Sequence, residues 1–600
     1  MRCFVFGILF LFCSSYAEEI RHECGVALVR LLKPIDQYED PTWGLKKALL
    51  LMEKQRNRGQ DGAGLAVLKL HVKPGEEYQY LARSIHESPL DDLMAQVAKE
   101  IDSKPSPVLG EIYLGHLRYA THSQIHLKNC QPFIRSHSIP SHHFAIAGNF
   151  NMTNTSDLFQ MLKDWGLFPT STSDTQVILD MIAYYLDKDA NLSGAIKNAA
   201  SHWDGGYVLA GMLGNGDVFI CRDPSGIRPG YYYKNEMVFA AASERSALME
   251  AFDLNSDDIH PLPPGQVVIL KSDGNFSKVP FISPTALRQC SFERIYFSKA
   301  TDLAIYEERK ALGRNLASKV WKEIGGDLSH TIFSYVPNSS IPAFQGLVDG
   351  IKEISLISIQ EKVQKGLLQA HELISQVPRT EYLITKNQKV RTFITGDKKR
   401  ENLLSLQLYE ITKGLVTPQD TLVIVDDSIV RGVTIRDALL KKLIQLNPKK
   451  IIIVSSAPPV CYPDCYGIDM SQLGRFVAFQ AAISLLNDRK ETQILEEVKK
   501  ICLKQKELPA SKMINPIRKI YERFNLIELE QKIAEIITPP STGWKGEVKV
   551  IYQTIDGLHQ AMPEYTGDWF FSGNYPTPGG FKVLNTSFLK WIESDDSRSY

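Results

Sequence analysis

Two adjacent acidic residues, Asp426 and Asp427, are the side chains of this sequence best placed to do chemistry. They follow the apolar run TLVIV at 421–425, which is typical of a buried strand, and they precede the small, hydroxylated turn SIVRGVT at 428–434. Ligands of open parallel sheets bind at the carboxyl ends of the strands. The turn offers backbone N–H groups, hydroxyls and the N-terminus of a following helix, which together suit a phosphate. The two acids would then face a ribose diol or a hydrated Mg²⁺, although adjacent acids at a strand end can also be solvated or capping residues.

Cys24 opens a predicted strand and is followed by seven short blocks rich in Gly, Arg, Asn and Asp. The blocks are RGQDGAG (58–64), GHLRYAT (115–121), NCQPF (129–133), GN (148–149), SDT (173–175), RDPSGIRP (222–229) and ASER (242–245). By itself, a lone cysteine is more often a small buried apolar residue than a nucleophile. Amide hydrolysis, however, needs a nucleophile, a base and a stabilised oxyanion, and residues of these types meet those needs.

The elements that must position these residues change character along the chain. Residues 24–285 read as short β-rich runs broken by Gly and Pro, with few helical patterns, which predicts an α+β sandwich. Residues 286–510 alternate helices with strands that are apolar on both faces, which predicts a parallel sheet covered by helices. Residues 511–600 predict a C-terminal helical extension that includes one strand-like run at 548–552.

Composition excludes several classes of protein. The chain has 600 residues, 44% hydrophobic and 23% charged, which is typical of a globular protein too long for one core and excludes disorder, collagen and coiled coil. Lys+Arg and Asp+Glu both number 68, so no overall basic field favours nucleic acid or an anionic membrane. Nine cysteines without a CxxC pair argue against a disulfide scaffold or a closed zinc site.

The first 23 residues look like a leader. Arg2 is followed by the eleven-residue apolar run at 3–13 and then by SSYA at 14–17, which is the pattern of a secretory signal peptide. The run is too short to span a bilayer as a stable helix. Export, a leader removed for another reason and a wrongly assigned start are the three interpretations of this segment.

The motifs resemble one family. The segment VIVDDSIVRGVT at 423–434 resembles the phosphoribosyl-pyrophosphate loop of type I phosphoribosyltransferases, and its core is similar to that of the glutamine phosphoribosylpyrophosphate amidotransferases. The runs YVPNSS (335–340), SSAPP (455–459) and YGIDM (466–470) resemble the same family. The seven blocks after Cys24 occur in the order seen in class II glutamine amidotransferases. The resemblance implies an N-terminal-nucleophile sandwich of αββα type followed by an α/β phosphoribosyltransferase domain with a C-terminal extension.

The resemblance also implies roles for individual residues. Cys24 would be the nucleophile and its own α-amino group the base, so residues 1–23 must be removed. Arg118 would hold the α-carboxylate of glutamine, Asp174 its α-ammonium group, and Asn149 with the next backbone N–H the oxyanion. The residues implied to bind phosphoribosyl pyrophosphate are Asp426, Asp427, Ser428, Val430, Arg431, Gly432 and Thr434. Those implied to hold Mg²⁺ are Ser340, Asp426 and Asp427.

Several positions depart from the family pattern. Asn338 stands where the family has an acid, Phe150 where it has the glycine of the oxyanion hole, and Gln176 where it commonly has Glu. The loop at 386–394, which resembles the loop that closes over the pyrophosphate, is one residue short and lacks its tyrosine. The stretch at 341–385 is longer than in compact members.

Some members of the family bind a 4Fe–4S cluster through four cysteines. Cys290 matches the first position, but the second falls on Asp464, with Cys465 displaced by one residue. The region of the last pair, 568–576, has no cysteine. We therefore expect no cluster.

The predicted function is transfer of ammonia from glutamine to C1 of phosphoribosyl pyrophosphate, the first committed step of purine synthesis. The resemblance implies a homo-oligomer inhibited by purine nucleotides, with no nucleic-acid partner and no membrane contact in its mature form. We interpret residues 1–23 as a propeptide or misassigned start on a cytoplasmic enzyme. The alternatives are a noncatalytic nucleotide-sensing paralogue, another class II amidotransferase such as glucosamine-6-phosphate synthase, and an exported amide hydrolase.

Overall fold

The computed structural model describes residues 24–119, 126–171, 173–189, 191–366, 377–386, 408–540, 543–595 and 597. The leader at 1–23 and the loop at 386–394, apart from its first residue, lie outside the described residues. So do the last two residues of the block at 115–121.

The described residues of the amino-terminal half form two antiparallel sheets and six α-helices. Its strands are β1 Gly25–Leu31, β2 Gly62–Leu68, β3 Gln79–Ser84, β4 Ile112–Arg118, β5 Phe133–Arg135, β6 Phe144–Met152, β7 Gly205–Leu213, β8 Val218–Arg222, β9 Tyr231–Lys234, β10 Val238–Ala242, β11 His260–Pro261, β12 Gln266–Leu270 and β13 Phe276–Pro280. Its helices are α1 Trp43–Lys54, α2 Pro89–Ile101, α3 Thr155–Asp164, α4 Asp174–Asp189, α5 Leu192–Ala200 and α6 Arg245–Phe252. The strand orders are β11-β9-β10-β1-β4-β2-β3 and β13-β12-β8-β7-β6-β5.

The two sheets stack face to face with helices on both outer sides. Val26 and Leu114 from the first sheet meet Ala145 and Ile220 from the second in one buried cluster. Helices α1, α2 and α6 cover the outer face of the first sheet, and α3, α4 and α5 cover that of the second. Because every strand in the interior has one face on each apolar layer, the strands read as nearly continuous apolar runs. The predicted αββα sandwich is confirmed.

The second half is built on a parallel sheet of order β15-β14-β18-β19-β20. Its strands are β14 Thr331–Tyr335, β15 Arg379–Thr380, β18 Thr421–Asp426, β19 Lys450–Ser455 and β20 Glu547–Tyr552, and a small antiparallel pair joins β16 Ile384–Lys386 to β17 Tyr409–Ile411. Helices α7 Leu303–Glu323 and α8 Ile341–Gln364 cover one face. The part of this half that the structure describes also contains the α-helices Lys441–Ile444, Val477–Arg489, Gln493–Gln505, Arg518–Tyr521, Leu526–Ile537, Ile555–Ala561, Trp569–Ser572 and Pro578–Ile592.

Three apolar runs that the sequence analysis identified form strands of this sheet. The runs at 421–425 and 451–454 form central strands buried on both faces, as their apolar pattern predicted. The strand-like run at 548–552 forms β20, which pairs in parallel with β19 and so ties the C-terminal stretch to the sheet. The long stretch after residue 340 is accounted for in part by α8, which is 24 residues long.

Neighbouring strands β14 and β18 are parallel, so the segments that follow them meet at one edge of the sheet. The N–H of Val336, just after β14, donates to the carbonyl of Val425 at 2.9 Å. This arrangement brings the turn at 336–340 beside Asp426 and Asp427. Among the described residues, the helices lack an apolar stretch long enough to cross a membrane.

Candidate active sites

The first candidate site is built around Cys24, which directly precedes β1 and is half-buried. The backbone N–H of Tyr119, just after β4, donates to Cys24 Sγ at 3.4 Å, and the Sγ lies 3.6 Å from the carbonyl oxygen of the same residue. Burial raises the pKa of the Cys24 thiol to about 12, while the positive charge of Arg118 acts in the opposite direction. A base must therefore remove the thiol proton before this sulfur can act as a nucleophile at neutral pH.

Two buried side chains of opposite charge lie near this sulfur. Arg118 is the last residue of β4, and Asp174 is the first residue of α4. The charges of both act on the Cys24 thiol, Arg118 lowering its pKa and Asp174 raising it. The N–H of Thr175 donates to Asp174 Oδ1 at 2.9 Å, which fixes this carboxylate at the helix start. A guanidinium and a carboxylate near one thiol can bind the two charged groups of an amino acid.

The block RGQDGAG packs closely against the end of β4, the strand that carries Arg118. A Cβ on Gly59 would lie 2.4 Å from the carbonyl carbon of Leu117 and 2.6 Å from the backbone nitrogen of Arg118. The N–H of Asp61 donates to the carbonyl of Arg118 at 3.1 Å. Only glycine lets the loop approach the end of β4 so closely.

Asn149 lies in β6, and the residue before it is fixed at both of its backbone groups. His116 Nε2 lies 3.1 Å from the carbonyl oxygen of Gly148, and the N–H of Gly148 donates to Gln131 Oε1 at 2.7 Å. Burial lowers the pKa of His116 to about 3, so its imidazole is neutral and Nε2 carries the donated hydrogen. Because His116 precedes Arg118 by two residues on β4, this bond holds the Asn149 peptide against the end of the strand that carries Arg118.

Phe150 is compatible with an oxyanion-binding role for this strand. It pairs with Tyr207 inside β6, and its ring lies in the apolar cluster under the helices, so its backbone is extended and needs no glycine. Backbone N–H groups alternate in direction along a strand. The N–H of Phe150 therefore points to the same edge as the N–H of Gly148, which binds a side chain rather than a strand.

The second candidate site lies at the carboxyl end of β18. Asp426 is half-buried and Asp427 is buried, and the N–H of Asp427 donates to Asp426 Oδ1 at 2.9 Å. Burial, and then the negative charge of Asp427, raise the pKa of Asp426. Burial also raises the pKa of Asp427, although hydrogen bonds from Ser339 and Ser428 oppose this. Two carboxylates so close in a partly desolvated site favour a bound cation.

A cleft runs over these carboxylates. Its walls come from the turn after β14, from the small antiparallel pair and from the loop after β18. The lining residues are Tyr296, Val336, Pro337, Asn338, Ser339, Lys386, Tyr409, Asp426, Asp427, Ser428, Ile429, Val430, Arg431, Gly432, Thr434, Ile435 and Leu439. All seven predicted phosphate-loop and carboxylate residues are therefore brought together around one cavity.

The structure places Ser340 differently from the prediction. Its hydroxyl is fully buried and donates to the carbonyl of Val336, so it is turned away from the cleft. The neighbouring Ser339 donates to Asp427 Oδ2 and lines the cleft. The sequence could not separate the two serines, because both are hydroxyl residues in one tight turn and only the path of the turn decides which faces the acids.

The loop after β18 depends on a glycine and on a tie to a second loop. Gly432 has φ of +73°, and a Cβ there would lie 2.9 Å from Ile537 Cγ2. Arg431 Nη2 donates to the carbonyl of Asp469 at 3.1 Å, in the YGIDM run. The side chain of Arg431 is thus directed towards that run, a contact that the motif did not predict.

The residues at the positions that correspond to the iron–sulfur ligands of other family members also lie close together. Asp464 Oδ1 accepts from the indole N–H of Trp569 at 2.8 Å, and Oδ2 accepts from the N–H groups of Tyr466, Gly467 and Ile468 at 2.8–2.9 Å. Cys290 is buried and forms a backbone bridge with Gly567. Both carboxylate oxygens of Asp464, at the second ligand position, therefore already accept hydrogen bonds from a loop and an indole ring. The absence of a cluster stays a prediction that this bonding supports.

Comparison with known proteins gives concordant matches. The family model "Glutamine amidotransferase domain" matches residues 116–250. The chain is 28% identical over 482 residues to amidophosphoribosyltransferase 1, chloroplastic, of Arabidopsis thaliana, covering 78% of this chain and 73% of the relative. It is 26% identical to the amidophosphoribosyltransferase of Archaeoglobus fulgidus, covering 70% and 82%. The crystal structure of glutamine phosphoribosylpyrophosphate amidotransferase from B. subtilis with ADP and GMP matches with a TM-score of 0.63 at 23% identity, covering 92% and 97%. The resemblance predicted from the motifs is confirmed.

Proposed function

We propose that this chain, a relative of the amidophosphoribosyltransferases, uses glutamine to convert 5-phosphoribosyl 1-pyrophosphate into 5-phosphoribosylamine, glutamate and pyrophosphate. This reaction is the first committed step of de novo purine synthesis. The observation that carries the proposal is the presence of two complementary sites in one chain. Cys24 with Arg118 and Asp174 suits the amide of an amino acid, and the paired carboxylates over a glycine-containing loop suit a phosphorylated ribose.

In the first half-reaction, Arg118 and Asp174 orient glutamine so that its side-chain amide faces the sulfur. The Cys24 sulfur attacks the amide carbon, and the α-amino group of the same residue takes the thiol proton and gives it to the leaving ammonia. Asn149 and the N–H of Phe150 donate to the oxyanion that forms. Water then hydrolyses the thioester to glutamate.

In the second half-reaction, the loop at 428–434 holds the 5-phosphate through its backbone N–H groups and its hydroxyls. Ammonia, kept from solvent protonation inside the protein, attacks C1 of the ribose, and the bond to pyrophosphate breaks. Asp426 and Asp427 accept hydrogen bonds from the ribose hydroxyls and stabilise the positive charge that develops on the sugar.

Three oxygen groups at this edge fit magnesium. The carboxylates of Asp426 and Asp427 and the hydroxyl of Ser339 are hard donors, and Ser339 replaces Ser340 in this proposal because it is the serine that contacts Asp427. Burial raises the pKa of each carboxyl group, and the negative charge of Asp427 raises that of Asp426 further. A divalent cation would therefore stabilise the two ionised carboxylates. When bound, Mg²⁺ would neutralise charge on the departing pyrophosphate.

The proposed function extends to inhibition by nucleotides, oligomeric state and location in the cell. The B. subtilis relative was solved with ADP and GMP, and we infer that purine nucleotides inhibit this chain as well. We also propose a homo-oligomer in the cytoplasm, where phosphoribosyl pyrophosphate is made, and a mature chain that begins at Cys24.

The test of the proposed function compares a chain that begins at Cys24 with one extended by a single alanine before it. Because an α-amine has a pKa of about 7.7–8.0 and an amide nitrogen is no base, only the first form should produce phosphoribosylamine from glutamine. Both forms should produce it from added ammonia, measured by pyrophosphate release. Equal glutamine-dependent rates would contradict the role of the amine. No product from either nitrogen source would favour the noncatalytic nucleotide-sensing paralogue.

Gly432→Ala is expected to raise the KM for phosphoribosyl pyrophosphate about tenfold, because a left-handed residue with a side chain costs about 1–2 kcal/mol. Basal glutamine hydrolysis should be unchanged, because the strain lies in the second site. Gly414→Ala is the control, since its φ is +89° but it lies outside the cleft and a Cβ there meets no atom within 4 Å. Steady-state kinetics of both variants check this, and an unchanged KM in Gly432→Ala would show that the loop conformation is not needed for binding.

A further inference from the structure

Asp464 is a fully buried carboxylate around which the loop at 464–470 closes. Its Oδ2 accepts from the backbone N–H groups of residues 466–468 at 2.8–2.9 Å, and its own N–H donates to the carbonyl of Met470 at 2.8 Å. Hydrogen bonds to an ionised acceptor are stronger than those between neutral groups. The carboxylate therefore sets the path of the whole loop.

A tryptophan from the C-terminal extension contacts the other oxygen of this carboxylate. The indole N–H of the buried Trp569 donates to Asp464 Oδ1 at 2.8 Å, and the indole ring packs edge-on against Tyr466 with 4.9 Å between ring centroids. A 4Fe–4S cluster needs four thiolates, whereas at the positions that correspond to its ligands only Cys290 supplies one in register. The residues present therefore fit a loop folded around a carboxylate, and they do not fit a cluster.

The loop at 464–470 contacts the loop at 428–434, the phosphate loop, through Asp469. Arg431 Nη2 donates to the carbonyl of Asp469 at 3.1 Å and lies 3.8 Å from its Oδ2. Arg431 and the residues on either side of it all line the cleft. Because its side chain is held at Asp469, the peptide groups on both sides of Arg431 are restricted, and these are among the groups proposed to hold the 5-phosphate.

We propose that Asp464 is a positioning residue for the binding of phosphoribosyl pyrophosphate, and that it acts on the phosphate loop through Asp469 and Arg431. This inference rests on the proposed function of the second site. An amide at position 464 would offer one acceptor oxygen and two donors, so it could not accept from both the indole and the three backbone N–H groups. The loop at 464–470 would then lose its fixed path, and Arg431 would lose its fixed partner.

The experiment measures binding of phosphoribosyl pyrophosphate with Mg²⁺ by isothermal titration calorimetry without a nitrogen source, and ammonia-dependent product formation by steady-state kinetics. Asp464→Asn is expected to raise both the Kd and the KM for phosphoribosyl pyrophosphate at least about tenfold. The kcat should stay within about threefold, because the phosphate loop binds the 5-phosphate rather than the reacting carbon.

Asp420→Asn is the matched control. Asp420 is also a buried carboxylate of this half, and it accepts from the backbone N–H of Thr417 at 2.7 Å. It directly precedes β18, at the opposite end of that strand from the cleft. Its substitution should leave the Kd and the KM within about twofold.

A double substitution separates a positioning role from a general structural one. Arg431→Ala should also raise the Kd at least about tenfold, and Asp464→Asn added to it should change the Kd by no more than about twofold, because both changes remove the same contact. If the two effects multiply to about a hundredfold or more, the residues act independently and the inference is wrong. An unchanged Kd in folded Asp464→Asn would overturn it as well.

Circular dichroism and thermal melting establish that each variant is folded. If Asp464→Asn is not, Trp569→Phe decides, since it removes only the bond to Oδ1; it should raise the Kd about threefold, and an unchanged Kd would overturn the inference. Stoichiometric iron and sulfide in the purified protein would also overturn it, because a cluster would then hold this loop.

The two measurements distinguish this inference from the proposed function. Unmodified protein that binds phosphoribosyl pyrophosphate but forms no product from ammonia would refute the proposed function alone, and the Kd values of the variants would still test the role of Asp464. Absence of binding by the unmodified protein would refute both.

Discussion

Cys24→Ala is expected to reduce glutamine-dependent formation of phosphoribosylamine by at least about a thousandfold and to leave ammonia-dependent formation within about twofold. We propose this sulfur as the nucleophile of the first half-reaction only, and it accepts a hydrogen bond from the N–H of Tyr119, the residue after Arg118. Added ammonia enters the second half-reaction directly, so the second site does not need the thiol. The measurement is pyrophosphate release with each nitrogen source, using a chain that begins at residue 24.

Cys221→Ala is the matched control, because Cys221 is a buried cysteine of the same sandwich, in β8, and takes no part in the proposed mechanism. It should retain activity with both nitrogen sources. A parallel loss of both activities in the Cys24 variant would contradict the two-site account, since it would mean that one site performs both steps. Retained glutamine use would show that another group attacks the amide.

Asp427→Asn is expected to lower both the glutamine-dependent and the ammonia-dependent activity by about a hundredfold or more. Asp427 accepts hydrogen bonds from Ser339 and Ser428, and it faces the cleft in which the ribose is proposed to bind. The amide keeps the shape of the side chain but removes the negative charge that we propose to stabilise the sugar and a cation. Both nitrogen sources pass through this step, so both assays should show the loss.

Asp437→Asn removes the same charge ten residues further along the chain, where the carboxylate pairs with Arg436 and Lys441. It should leave both activities within about twofold, because it does not line the cleft. Titration of Mg²⁺ adds a second measurement. The Asp427 variant should require a higher Mg²⁺ concentration for half-maximal ammonia-dependent rate, and an unchanged requirement would argue that Asp427 does not hold the ion.

Much of the fold follows from local patterns. Apolar runs that are buried on both faces predicted the central strands β18 and β19, and the change from β-rich blocks to alternating helices and strands predicted two kinds of sheet. The residues predicted to form the phosphate loop line the same cavity because they are consecutive and one turn brings them together. Segments that fold locally can be read from the sequence, since their contacts are made within a few residues.

Other features depend on side-chain direction and could not be predicted in this way. Ser339 and Ser340 are chemically alike, and only the path of the turn after β14 directs one to Asp427 and the other to a carbonyl. The bond between Asp464 and Trp569 joins residues 105 positions apart. No local pattern pairs an acid with a tryptophan over that distance.

The sequence by itself determined the chemistry of this protein, because the order of its blocks identified a cysteine site and a phosphate loop in one chain. The tertiary structure decided how the two are connected. Arg58, Glu244 and Glu293 are ordinary charged residues in the sequence, and they form one buried network only after the sandwich and the parallel sheet have packed together. A charge can be kept in such an interior only when folding brings its partners to it, so the network is a property of the packed chain and not of any segment.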